Sequence, residues 1–234
     1  MDIYKIADLY IGVDKHSDFS KEYMKDYLSD STTDDFCVSV TDDMIQHEKQ
    51  LVTDSIPDEY HELTAILRAI CATILDKYNG FFLHCSSLEY DGGAYIFTAK
   101  SGTGKSTHAR LWREVMGDKV TMINDDKPIV RLIDDTFYIY GTPWNGKHSL
   151  SNNIKVPIKA IYYLSQAENN KCMRCDSFLA ISKLLSQTIL PDDKSNMDKL
   201  LSLLEELVLT TPMYDLECNI SHDAVYTALN STKE

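Results

Sequence analysis

Ala99-Lys100-Ser101-Gly102-Thr103-Gly104-Lys105-Ser106-Thr107 is the most informative stretch of this sequence. Its spacing is that of a phosphate-binding loop, with Ala99 in place of the first glycine of the strict motif. The glycines let successive backbone N–H groups turn toward phosphate oxygens. Lys105 supplies a charge for the β- and γ-phosphates, and the Ser106 hydroxyl is a ligand for Mg²⁺. The stretch predicts a nucleoside triphosphate held by Ser101, Gly102, Thr103, Gly104, Lys105, Ser106 and Thr107.

The sequence on either side of this loop favours the same interpretation. Gly93–Thr98 is an apolar, β-rich run that predicts a strand entering the loop, and residues 107–116 predict the helix that leaves it. Gly117 stands where a C-terminal helix cap belongs. The alternative is a glycine- and serine-rich turn that happens to contain lysine. The order of strand, loop and helix argues against that alternative.

Composition and charge exclude several classes of protein. The 234 residues, 44% of them hydrophobic, suffice for one domain or for one domain with a small appendage. The formal net charge of −13 would repel a nucleic-acid backbone, so no nucleic-acid partner is expected. No apolar run approaches the roughly 20 residues of a membrane-spanning helix, and the N-terminus lacks the apolar stretch of a signal peptide. We therefore expect a cytoplasmic protein without a membrane partner.

Six cysteines are scattered along the chain, and only Cys172 and Cys175 have the CxxC spacing. One such pair, with no second pair and no histidine nearby, is weak evidence for zinc. Disulfides are not expected without a secretory signal. The preferred interpretation is that all six are ordinary reduced cysteines, several of them in the core.

The sequence divides into two parts. Residues 1–54 hold β-like runs at 3–13 and 36–40 and predict a small β-rich N-terminal region packed on the main domain. Residues 55–234 predict the α/β nucleotide-binding domain. This domain begins with a capping box at Ser55 and an amphipathic helix that continues to Asn79-Gly80. Two further helices, at 178–189 and 197–209, carry a leucine stripe that predicts core packing.

A second chemical element follows the predicted strand Val120–Asn124. Asp125 and Asp126 stand at its carboxyl end, where a carboxylate can hold Mg²⁺ beside the γ-phosphate. Neighbouring side chains of an extended chain point to opposite sides, so one acid can face the metal and the other an incoming hydroxyl. A solvated turn at the end of a strand is the alternative. Asp134-Asp135, by contrast, predicts a hairpin turn.

A third element runs from Tyr140 to His148 and contains two glycines, Pro143 and an aromatic, Trp144, that we expect to be exposed. It is either a substrate or lid loop, from which Lys147 reaches phosphate or a substrate acid, or a Trp-anchored connection between strands. Lys127 and Arg131 either add charge to the phosphate pocket or are solvated.

The motifs in this chain are, in order, Phe82-Leu83-His84, then a strand, then Ser101-Gly102-Thr103-Gly104-Lys105-Ser106, and then Asp125-Asp126. This order of motifs resembles that of the catalytic domain of HPr kinase/phosphorylase. That family shares its nucleotide-binding architecture with ATP-dependent phosphoenolpyruvate carboxykinase. The resemblance covers about residues 80–165 in motifs and 56–234 in fold. It implies an α/β P-loop fold, with ATP and Mg²⁺ as cofactors and His84, on the strand before the loop, near the reacting phosphate. It further implies that the acid pair binds metal and activates a serine hydroxyl, with the base left open between Asp125 and Asp126.

The expected function is therefore an ATP- and Mg²⁺-dependent phosphotransferase acting on a hydroxyl acceptor, either a serine of a protein or peptide or a small molecule. Lys105, His84, Asp125 and Asp126 are the expected catalytic residues, and Ser106 and Asp125 the expected metal ligands. His84 is followed by Cys85 where the family has glycine, so the acceptor's identity is not implied. The alternatives are a nucleotide-binding regulatory or maturation partner with little turnover, and a carboxykinase-like enzyme. The oligomeric state is not indicated.

Overall fold

The structure is a computed structural model that describes residues 1–51 and 56–233. These residues form a mixed α/β architecture of two β-sheets and seven α-helices. The predicted capping box at Ser55, and with it the boundary between the two predicted parts of the chain, lies outside the described residues.

The N-terminal sheet has three strands, β1 (Asp2–Ile6), β2 (Leu9–Asp14) and β3 (Phe36–Ser39). β1 and β2 form an antiparallel hairpin, and β3 pairs with β2 in parallel. These strands confirm the β-like runs of the sequence. Two short helices, α1 (Asp18–Met24) and α2 (Asp42–Leu51), were not predicted, because their apolar residues are too few to give a helical period.

The long helix α3 (Asp58–Tyr78) packs its apolar face against this sheet, with Ile66, Ile70 and Ile74 fully buried. It ends at Asn79, whose left-handed conformation (φ 50°) closes the helix. The helix predicted from the apolar spacing is therefore confirmed.

The second sheet has nine strands, which follow one another along the chain as β4 (Gly80–Phe82), β5 (Cys85–Tyr90), β6 (Gly93–Thr98), β7 (Val120–Asn124), β8 (Ile129–Ile133), β9 (Thr136–Tyr140), β10 (Lys155–Gln166), β11 (Lys171–Arg174) and β12 (Met213–Cys218). Their spatial order is β4-β8-β9-β10-β6-β5-β7, and β12 pairs with both β10 and β11. β6, β10 and β12 are mutually parallel, whereas β5 is antiparallel to both β6 and β7.

Helices cover both faces of this sheet. The four that follow β6 in the chain are α4 (Lys105–Met116), α5 (Ser177–Leu185), α6 (Lys194–Thr210) and α7 (Asp223–Asn230). Alternate residues of β6 face opposite layers, as a strand requires: Ile96 packs in the cluster that contains α5 and α6, and Phe97 in the cluster that contains α4 and α7. The leucine stripe of α6 is core, as predicted.

Two local expectations have clear outcomes. Asp134 and Asp135 form the β8–β9 hairpin turn, both at positive φ (47° and 60°), so that prediction is confirmed. The helix predicted over 178–189 ends at Leu185. It ends early because the backbone oxygen of Gln187 accepts from His84 N, and Thr188 Oγ1 donates to the Phe82 oxygen. This segment is thus bound to the β4–β5 connection instead of continuing the helix.

All six cysteines are free thiols, with Cys71, Cys85 and Cys175 buried. Residues 1–51 and 56–233 contain no helix that combines the length and the hydrophobicity needed to cross a bilayer.

Candidate functional site

The glycine-rich loop of residues 99–104 joins β6 to the first turn of α4. Gly102 and Gly104 have positive φ (78° and 119°), and the space beside the Gly102 Cα is open, since a Cβ there would meet nothing within 4 Å. α4 begins at Lys105 with no side chain capping its first N–H groups. Because no side chain caps this helix and the glycine loop is open, the first backbone N–H groups are free to donate to an anion. The positive end of the helix dipole favours an anion at the same place.

A cavity of about 380 Å³ lies at this helix start. The residues that line it are His84, Ser101, Gly102, Gly104, Lys105, Ser106, Thr107, Asp125, Asp126, Gly146, Lys147 and His148. The structure thus brings together every site residue predicted from the sequence except Thr103, which lines two neighbouring cavities. Four separate segments of the chain meet here, and only the tertiary fold makes them neighbours.

Lys105 lies in the floor of this cavity. Its side chain is buried, and Nζ donates a hydrogen bond of 3.1 Å to the Ala99 backbone oxygen. Burial lowers the pKa of the Lys105 ammonium, and the neighbouring Cys85 and the two aspartates oppose that shift. A single carbonyl partner satisfies one of three ammonium donors. Lys105 can therefore bind an anion in the cavity without breaking an ion pair.

Asp125 follows β7 and is buried. Ser86 Oγ of the adjacent strand β5 donates a hydrogen bond of 2.5 Å to its Oδ1. The Asn124 side chain holds the turn after it, because its Oδ1 accepts from the N–H groups of Asp126 and Lys127 at 2.9 and 2.8 Å. The turn is held by these hydrogen bonds, and because Asp125 is buried, the alternative of a solvated turn does not describe it.

Asp126 is the more exposed acid of the pair, and it lies between two basic side chains. It pairs with Lys127, and His84 Nε2 is 3.5 Å from its Oδ1. Cys85 N donates to the Asp126 backbone oxygen at 3.1 Å, which holds the His84 segment beside the acids. His84 itself lies in the connection between β4 and β5, so the expectation that it stands on the strand before the loop is wrong.

The His84 imidazole is partly buried. Burial lowers its pKa, and the nearby Lys105 lowers it further, against the opposing effect of Asp126. The ring is therefore neutral at pH 7, where it can accept a proton or donate a hydrogen bond. With a neutral ring, the His84–Asp126 contact is a polar contact and not an ion pair.

The loop of residues 141–149 is anchored by Trp144, and the expectation that this aromatic is exposed is wrong. Trp144 is buried, and its Nε1 donates to the Leu63 backbone oxygen of α3 at 3.0 Å. The loop then turns toward the acids: Gly146 has φ +70°, and a Cβ there would lie 3.1 Å from Asp126 Cβ. The same loop is thus anchored by Trp144 and places Lys147 at the cavity.

Arg131 does not add charge to the cavity. Its guanidinium is buried and donates to the backbone oxygens of Ala7 and Tyr78, at 2.5 and 3.3 Å. It links β8 to the N-terminal sheet and to the end of α3. Lys127, by contrast, stands at the acid pair through its contact with Asp126.

Two residues near the site could not be predicted from the sequence. Ser86 lies in an ordinary strand, and only the β5–β7 pairing identifies it as a partner of Asp125. Tyr23 of α1 is near enough to Asp126 to be influenced by its charge: burial, and then the Asp126 carboxylate, raise the pKa of Tyr23. No local pattern connects residue 23 with residue 126, so the sequence carried no signal for this electrostatic influence.

The residues around the cavity suit a magnesium–nucleotide complex. Residues 1–51 and 56–233 contain no group of three or more His, Cys, Asp or Glu side chains able to hold a metal ion. Mg²⁺ in nucleotide sites takes one or two protein oxygens and completes its shell with phosphate and water. The Ser106 hydroxyl and the Asp125 carboxylate, which line one cavity with the uncapped start of α4, fit that donor set.

Comparison with solved structures gives a distant similarity. No family model matches the chain, and no curated protein matches it. Among solved structures, the Hpr(Ser) kinase/phosphatase from Coxiella burnetii is similar, with a TM-score of 0.34 and 12% sequence identity. The match covers 65% of this chain and 99% of that chain. This is a distant structural relationship, and it assigns no role to the cavity residues.

Proposed function

We propose that the chain is an ATP- and Mg²⁺-dependent phosphotransferase with a P-loop nucleotide-binding domain, which moves the γ-phosphoryl group to a hydroxyl acceptor. One observation carries the proposal: a buried lysine, a hydroxyl, two carboxylates and a neutral imidazole line the same 380 Å³ cavity at an uncapped helix start. These are the groups that phosphoryl transfer needs, since its catalysis is mainly positioning and charge neutralisation.

The loop and α4 bind the triphosphate in this proposal. Backbone N–H groups around Gly102 and Gly104 donate to phosphate oxygens, and Lys105 supplies the cation. Ser106 and Asp125 hold the magnesium ion, which neutralises phosphate charge when bound. Ser86 positions Asp125, because its hydroxyl occupies one carboxylate oxygen and leaves the other for the metal.

Asp126 is the proposed general base. It lines the cavity, is more exposed than Asp125, and adjoins the neutral His84 ring, which orients it. A base at this position takes the proton of the acceptor hydroxyl as the new P–O bond forms, an effect worth on the order of 10²–10⁴ in rate. Lys147, exposed on the anchored loop, lines the same cavity and would contact the acceptor or the transferring phosphate.

The first test is of nucleotide binding. Calorimetry should show that Lys105→Ala weakens MgATP binding at least tenfold while leaving the much weaker binding of adenosine unchanged. Lys100→Ala removes an exposed lysine from the same loop and is the matched control, for which we expect wild-type affinity. Equal MgATP affinity in the wild type and Lys105→Ala would contradict the phosphate-loop assignment.

The second test is of transfer. The wild type, with radiolabelled ATP and a panel of serine peptides and small hydroxylated metabolites, should label one acceptor. The double variant Asp125→Asn, Asp126→Asn should bind ATP but lose the labelling. If the wild type makes ADP no faster than Lys105→Ala with every acceptor, the chain is a nucleotide-binding regulatory partner and the kinase proposal fails.

A further inference from the structure

A second cavity, of about 410 Å³, adjoins the same glycine-rich loop. It shares Gly102, Gly104 and Thr107 with the first cavity, but its other walls come from α4 and from the ends of β10 and β12 with the turns that follow them. In the sheet, β6 leads into the loop with β10 on one side and β5, followed by β7, on the other. The two cavities therefore lie on opposite sides of the loop, the acids on one side and the second cavity on the other.

The second cavity differs from the first in chemistry. Its walls carry Leu111 of α4, Leu164 of β10 and Ile220, and none of its lining residues is an aspartate, glutamate, lysine or arginine. His108 also lines it, and burial lowers the pKa of this histidine to about 4, so the ring is uncharged at pH 7. An uncharged and largely apolar cavity suits a flat ring system better than it suits a phosphate.

Ile220 is the most unusual wall residue, because 79% of its surface is exposed at the edge of this cavity. Hydrogen bonds hold the turn that presents it. Asn219 N donates to Asn170 Oδ1 at 2.9 Å, and Asn219 Nδ2 donates to the Glu168 oxygen at 2.7 Å. Ser221 N donates to Asn219 Oδ1 at 3.0 Å. These bonds clamp the turn to the neighbouring 167–170 turn, so Ile220 is held in place before any ligand arrives.

We infer that this second cavity binds the base of the nucleotide, packed between Ile220 on one side and Leu111 and Leu164 on the other. The inference rests on the proposed binding of a triphosphate along the loop. With the reacting phosphate at Asp125 and Asp126, the other end of the nucleotide leaves the loop on the β10 side. The cavity there has the volume of a small-molecule site, roughly 300–1,000 Å³.

Calorimetry with two probes, MgATP and magnesium tripolyphosphate, separates binding of the base from binding of the phosphates. Ile220→Ser should weaken MgATP binding by about tenfold, because the base loses an apolar contact face. Tripolyphosphate has no base, so its affinity should not change. Leu209→Ser is the matched control, since Leu209 is also 79% exposed but lies at the end of α6, outside this cavity. It should bind both probes as the wild type does.

Two results would overturn the inference while leaving the proposed function intact. One is unchanged MgATP affinity in Ile220→Ser. The other is an equal loss of affinity for both probes, which would mean that the substitution disturbs the phosphate loop. Failure of the proposed function gives a different pattern: the Lys105→Ala variant would then bind both probes as tightly as the wild type.

Discussion

Ser86 Oγ donates a hydrogen bond of 2.5 Å to Asp125 Oδ1, and both side chains are buried. Asp126, the next residue, has its side chain in contact with Lys127 and His84. Two adjacent carboxylates thus have different environments: the buried one accepts from a neighbouring strand, and the partly exposed one lies between two basic side chains. Different environments are the physical basis for assigning them different roles in the proposed reaction.

Asp125→Asn should reduce the Mg²⁺-dependent part of ATP affinity by at least tenfold, because an amide is a poor ligand for a hard cation. Ser86→Ala should reduce it less, since the carboxylate remains but loses its orientation. The measurement is a Mg²⁺ titration of ATP binding. Asp134→Asn, in the β8–β9 turn, is the control and should behave as the wild type. Wild-type Mg²⁺ dependence in Asp125→Asn would show that this acid is not a metal ligand.

His84→Ala should lower turnover by about tenfold or more with little change in thermal stability, because His84 lies in a connection and orients Asp126. Thermal unfolding and the rate of acceptor labelling measure the two effects separately. His47→Ala, on the exposed face of α2, is the control for loss of a histidine. A large fall in Tm with turnover per folded molecule preserved would mark His84 as a structural residue.

Trp144→Phe removes the indole N–H that bonds to α3, at a cost of about 1 kcal/mol, which is roughly 2–4 °C in Tm for a chain of this size. Turnover should fall as well, because the loop that presents Lys147 loses its anchor. Lys147→Ala should lower turnover and leave Tm unchanged, since Lys147 is exposed. If Trp144→Phe unfolds earlier but keeps full turnover, the loop is only a connection between strands.

Gly141→Ala should destabilise the fold by about 3 kcal/mol, because its Cβ would lie 1.9 Å from the Asn152 oxygen and 2.7 Å from the Ile123 oxygen. Both contacts are to backbone, which cannot rotate away. Urea denaturation measures the loss. Gly92→Ala is the control: its Cβ would meet nothing within 4 Å, so only the positive φ of 74° opposes it, at about 1 kcal/mol. Equal losses in the two variants would contradict this explanation.

Stability should fall as the pH is lowered from 6.5 to 4 because of His108. Burial lowers the pKa of His108 from 6.5 to about 4, so in this window the unfolded chain binds a proton that the folded chain does not. Stability therefore rises with pH by about 1.4 kcal/mol per unit, a total of about 3 kcal/mol. Urea denaturation across this window in buffer without metal or nucleotide measures it. In His108→Gln, the free energy of unfolding should change less steeply with pH, by the contribution of one proton. An unchanged pH dependence would contradict the prediction.

Local sequence patterns were sufficient for the loop and its two flanking elements. Gly93–Thr98 alternates side chains between two apolar layers, and the helix after the loop shows one apolar face, so each could be predicted from its own residues. The same holds for the strand before Asp125 and for the hairpin turn at Asp134 and Asp135. In each case the physical cause lies within about a dozen consecutive residues.

The surroundings of those motifs depend on contacts between residues that are distant in the sequence. The local spacing of apolar residues does not predict such contacts. Ser86 contacts Asp125 through strand pairing, Trp144 donates to a backbone oxygen of α3, and the charge of Asp126 influences the pKa of Tyr23 in the N-terminal region. Other long-range hydrogen bonds, which join Gln187 and Thr188 to the β4–β5 connection, end the helix at Leu185 four residues early. Residue types and spacing therefore determined which chemical groups the chain carries. Their exposure, protonation and mutual distances follow from the packing of segments far apart in the chain, because burial and long-range hydrogen bonds exist only in the folded state.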